Sequence, residues 1–106
     1  MEEIERRFHR AMVAIYETAK NDLGYNGTFF VQMLGARGGV ATARQLLWST
    51  TPSEGFTTLR ERGRLDLTSE ALILRADFEA LFSDDDRRHA RERLEAYGWR
   101  DTSGDG

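Results

Sequence analysis

The chain contains no cysteine. That excludes disulfides, thiolate metal ligands and a cysteine nucleophile. Of its fifteen basic residues all but Lys20 are arginine, and it has one proline, Pro52, and two histidines, His9 and His89. A metal site would have to draw on those histidines and on carboxylates, and no spacing typical of such a site is present. There is no Walker loop, GxSxG, HExxH or EF-hand pattern. The glycines at 24–27 and 35–39 are too few and too irregular to cradle a phosphate. The reading is therefore no metal, no cofactor and no assigned catalytic residue. No apolar run reaches the roughly 20 residues that span a bilayer. The opening Met-Glu-Glu-Ile-Glu lacks the basic start and apolar stretch of a signal peptide, so a cytoplasmic location is expected. A net charge of -3 gives no general attraction to nucleic acid or to an anionic membrane.

What is present suits a small globular domain. The 106 residues, 40% apolar and 31% charged, have room for one core. The expected organisation is one helical domain over 1–100 and a disordered tail, rich in Gly and Asp, over 101–106. The arginine bias has two readings. Arg offers a planar fork of donors for phosphate or carboxylate. A GC-rich genome would also favour it, and the arginines are spread along the whole chain.

The stretch from Glu2 to Gly24 organises the rest. Ile4, Phe8, Met12, Ile15, Ala19 and Leu23 recur at steps of four and three, which puts them on one stripe of an α-helix. Gly24 is placed to end it in a left-handed turn. Residues 27–36 form a short helix, capped by Asn26 or Thr28 and apolar on two sides through Phe29, Phe30, Met33 and Leu34. After Gly38 and Gly39, Val40 to Trp48 carries Val40, Ala43, Leu46 and Leu47 inward. Ser53 caps a fourth helix that ends at Gly63. Arg64 to Leu67 reads as an extended link to Thr68, which caps a fifth helix over 69–75. Ser83 and Asp86 have the spacing of a capping box, opening a last helix from Asp84 to Tyr97. Its charges read as a solvated face, and Trp99 folds back beyond Gly98. The fold expected is all-α: a compact orthogonal bundle of five or six helices with a long N-terminal helix.

The spacing of Phe8-His9-x-x-Met12, Gly24-Tyr25-Asn26, Gly38-Gly39, Gly55-Phe56, Arg64-Leu65-Asp66-Leu67-Thr68 and Leu94-x-x-Tyr97-Gly98 resembles a small helical domain found in many bacterial proteins. That domain occurs alone or joined to larger chains and has no assigned activity. The resemblance covers nearly the whole chain and implies a bacterial module, but it transfers no catalytic residue. It leads one to expect an aromatic residue where this chain has Arg60.

Three functional readings follow. The first is a non-enzymatic interaction or regulatory module that binds a protein partner or itself through His9, Tyr16, Lys20, Tyr25 and Trp48. His9, Tyr16 and Lys20 share a stripe beside the core, and Trp is enriched in binding hot spots. The second is a nucleic-acid-binding accessory domain. Residues 30–47 resemble a helix-turn-helix, with Arg37, Thr42, Arg44 and Gln45 facing outward to read bases. The acidic net charge weighs against it. The third is a small ligand-binding protein or enzyme in which His9 and Lys20 converge with Arg64 and Asp66. Arg64 and Asp66 could hold an anion, although an arginine beside a turn also satisfies helix-end carbonyls.

Overall fold

The computed structural model describes residues 2–99. The stripe of the first helix predicts its partners well. α1 (Glu3–Leu23) is about 30 Å long at 1.5 Å per residue, against molecular extents of 34 × 34 × 27 Å. It starts with Glu3 and Glu5 near its positive end and stops at Gly24, whose φ of 69° suits glycine. Phe8 and Met12 on its inner stripe are wholly buried. The Phe8 ring meets Phe78 edge-on at 5.0 Å and Phe82 at 5.1 Å.

α2 (Thr28–Arg37) and α3 (Gly39–Leu47) follow as a pair, both packed on α1. Gly39 is needed there. A Cβ at that position would come within 2.8 Å of the His9 Cα, so the start of α3 can approach α1 only without a side chain. α4 (Glu54–Glu61) is capped by Ser53, whose hydroxyl accepts from Phe56 N–H. α5 (Ser69–Ile73) is capped by Thr68, and α6 (Asp84–Ala96) by a complete capping box of Ser83 and Asp86. Two 3-10 segments, Leu65–Leu67 and Ala76–Leu81, join these helices. Among the described residues there is no strand, so the protein is all-helical. The Cα radius of gyration is 12.9 Å, as a close-packed chain of this length requires.

One main core joins α1, α3, α5 and α6 through Phe8, Met12, Leu47, Ile73 and Leu94. A smaller cluster of Ala19, Leu59 and Leu67 pins the far end of α1 to α4 and the first 3-10 segment. Trp99 returns to the main core, with its N–H donating to the Leu94 carbonyl across Gly98 at φ 93°.

Much of the arginine bias has a structural use. Helix ends leave carbonyls without intrahelical partners. Arg62 donates to Leu23 O at the end of α1, and Arg93 to Leu46 O near the end of α3. Arg87 donates to Ile73 O at the end of α5, and Arg44 to Leu81 O at the end of the second 3-10 segment. A long side chain with a fork of donors can reach across an inter-helix gap and close such an end.

Several expectations are corrected. The link at 65–67 is a 3-10 turn, closed by Leu67 N–H to Arg64 O and Thr68 N–H to Leu65 O. Neither Asn26 nor Thr28 caps α2; Gly27 is the N-cap and supplies no side chain. α2 does not bury both faces: Met33 and Leu34 are inside, but Phe29 is 69% exposed and Val31 is also exposed. The last helix is not a plain solvated face either, because Asp86 and Arg93 are drawn inward. The tail at 101–106 lies outside the described residues.

Candidate binding site

The sequence gives no hint of a hollow, yet one of about 350 Å³ opens between α1, the start of α2, the end of α3 and α4. That volume is within the range of small-ligand pockets. Its walls follow from three local facts. α1 contributes Ile15, Tyr16 and Ala19, which share one helical face. The turn after Gly24 carries Tyr25 back across the opening, and Gly27 and Gly55 make room for its ring. A Cβ on Gly27 would lie 3.1 Å from Tyr25 Cε2, and one on Gly55 would lie 3.2 Å from the Tyr25 oxygen. Phe30 stacks on Tyr16 with centroids 6.4 Å apart and planes at 16°. Phe29 stands at the rim, and Leu46, Phe56, Leu59 and Leu67 line the interior.

Polar groups are few. Tyr16 O–H donates to Asn26 Oδ1 at 3.3 Å. Burial and the negative charge of Glu54 both push the Tyr25 phenol up from its ordinary value, so it stays a neutral donor. Glu70 lines the floor, 4% exposed along its side chain, with Arg93 behind it at 8%. The carboxylate is fully engaged: Oε1 accepts from Ser69 Oγ at 3.2 Å and Oε2 from Arg93 Nη1 at 3.2 Å. Arg93 also donates to Leu46 O at 3.0 Å and Ser49 O at 2.9 Å. This pair joins the end of α3, α5 and α6. Glu54 has no such partner among the described residues and stands at the first turn of α4.

The five residues read as one partner surface do not form one. Tyr16 and Tyr25 meet at the cavity. His9 is seven residues back along α1, about 10 Å away, in a shallower depression with Glu5, Arg37 and Arg44. Its Nδ1 is buried without a hydrogen-bond partner among the described residues, so it bonds neither a carbonyl there nor Asp66. Lys20 is exposed on α1. Trp48, which ends α3, is 53% exposed but packs on α6: its indole stacks on His89 at 4.3 Å, and Nε1–H donates to Asp86 Oδ1 at 2.8 Å. Burial works against ionising Asp86, but hydrogen bonds from Trp48 and Ser83 and the Arg44 charge outweigh it. Its carboxyl is held below the usual range.

The proposed anion and catalytic set is also divided. Arg64 and Asp66 satisfy each other through two hydrogen bonds of 3.1 Å, which leaves the Arg64 fork occupied. That hydrogen bonding, against some burial, lowers the Asp66 carboxyl. Asp22 adds to the field at Arg64, so the pair sits near the end of α1, some 20 Å along the helix from His9. The base-reading set loses two members. Thr42 is wholly buried, because its place on α3 faces the core beside Ala43. Arg44 is held by Leu81 O, lies 3.4 Å from Asp86 and covers the Phe82 ring. Arg37 and Gln45 are exposed. Arg60, where an aromatic residue was expected, lies over the Tyr97 ring at 4.8 Å.

What sequence reading missed at this site is the burial of Glu70 and its pairing with Arg93. A signal existed: Asp86, Ala90, Arg93 and Tyr97 recur at steps of four and three, so Arg93 shares the stripe of Ala90. Among the described residues no cluster of three or more His, Cys, Asp or Glu is placed to hold a metal ion, and no described helix is long and apolar enough to cross a membrane. Set against family models, curated proteins and solved structures, the chain matches none.

Proposed function

We propose that this chain is a non-enzymatic interaction module that holds a segment of a protein partner in the aromatic cavity between α1, α2 and α4. The observation that carries the reading is Phe29, 69% exposed at the rim of a mostly apolar hollow of about 350 Å³. An exposed large aromatic beside a preformed apolar pocket is the usual anatomy of a docking site. The lining supplies hydroxyls and two carboxylates but no imidazole, amine or thiol to activate a nucleophile. The Glu70 carboxylate is already occupied by Ser69 and Arg93.

The test is site-specific photo-crosslinking in cells of the source organism. A benzoylphenylalanine at position 29 should give a discrete protein adduct, and one at exposed position 92 should not. Phe29→Ser should abolish competition for that partner while leaving stability within about 0.5 kcal/mol, as for other exposed positions. An adduct with a second copy of the chain, together with dimers in sedimentation, would make the partner the protein itself. Equal labelling from positions 29 and 92 would overturn the reading.

A further inference from the structure

The docking reading says where a partner sits, and the charges of the lining say what part of it enters. Two of the residues lining the cavity are charged, Glu54 and Glu70, and both are acidic. Arg93 lies behind Glu70 and is engaged by it and by two carbonyls. Among the described residues, the charge left without a counterion is therefore that of Glu54 at the mouth. Tyr25 lies within reach of that charge, and the same cavity is lined by the stacked rings of Tyr16 and Phe30 and by the apolar side chains of Leu46, Phe56 and Leu59. Aromatic faces attract cations through their quadrupole. A long aliphatic stem fills an apolar slot while its charged head stays at a polar rim.

Resting on the docking reading above, we infer that the group inserted is the lysine or arginine side chain of a partner segment. Its methylenes lie against Leu46, Phe56 and Leu59, and its cation lies between Glu54 and the tyrosine rings. An acidic side chain would meet Glu54 with like charge. A neutral aliphatic one would gain the apolar walls but leave Glu54 unpaired. The chain's net charge of -3 also favours approach by a basic partner.

The experiment is a nuclear magnetic resonance titration of the full chain with capped tripeptides of the form Gly-X-Gly, where X is lysine, arginine, norleucine or glutamate. The lysine and arginine peptides should shift the resonances of Tyr16, Tyr25 and Gly55. They should bind about fivefold to tenfold more tightly than the norleucine peptide, the scale of one partly screened ion pair with a ring contact. Glu54→Gln should remove most of that preference and leave norleucine binding unchanged, and added salt should do the same. If norleucine binds at the cavity as well as lysine, the cation assignment is overturned and apolar docking stands. If butylammonium equals the lysine peptide, the assignment to a partner segment is overturned in favour of a free amine. If no peptide moves the cavity resonances, both this assignment and the docking reading fall.

Discussion

Removing Arg93 should cost more than removing Glu70, although the two form one ion pair. Both are almost completely buried. Breaking a buried pair by deleting one partner typically costs about 3–5 kcal/mol, because a charge is left without compensation. The structure says which end of that range each deletion takes. In Glu70→Leu, Arg93 still donates to Leu46 O and Ser49 O, at 3.0 and 2.9 Å. That variant should lose about 3 kcal/mol. In Arg93→Met, the Glu70 carboxylate keeps only Ser69, and the carbonyls of Leu46 and Ser49 lose a donor as well. With one partner left to Glu70, against the two that Arg93 keeps in Glu70→Leu, the upper end of that range, about 5 kcal/mol, is expected. Domains of this size hold about 5–15 kcal/mol in total, so Arg93→Met should be near the limit of folding. The double variant Glu70→Leu/Arg93→Met leaves no buried charge and should be more stable than Arg93→Met alone. Urea unfolding followed by Trp48 and Trp99 fluorescence measures all three. Should Arg93→Met lose less than about 1 kcal/mol, or the double variant fall below both singles, the account of this junction is wrong.

Three further outcomes can be checked. Gly39→Ala places a Cβ 2.8 Å from the His9 backbone and should destabilise by about 1–3 kcal/mol, seen as a lowered thermal midpoint; an unchanged midpoint would mean that α1 and α3 are not this close. Thr42→Val replaces a wholly buried hydroxyl that has no hydrogen-bond partner among the described residues and should stabilise by about 1 kcal/mol, whereas a loss would reveal a bond the structure lacks. Because the folded value for Asp86 is depressed, its contribution is complete above the ordinary carboxyl value of 3.8 and is lost as pH falls through the lower folded value. Asp86→Asn should therefore flatten the acid limb of stability against pH, with Trp48 fluorescence as the readout.

The local grammar of the chain determined a good deal of this protein. The caps at Ser53, Thr68 and Ser83, the stop at Gly24 and the inward stripe through Phe8 and Met12 all arise from residues within a turn or two of each other. Their hydrogen bonds and periodicity are therefore written along the sequence. What tertiary structure alone decided is which charges go inside and which aromatics stay out. Glu70 meets Arg93 across 23 positions and Trp48 meets Asp86 across 38. Phe29 is exposed although the pattern of α2 would bury it. The hollow exists because α1, the starts of α2 and α5, the end of α3 and α4 meet around Tyr16 and Tyr25 without filling the space between them. Periodicity says which face of a helix is apolar; how completely neighbouring segments cover that face depends on where the whole chain brings them.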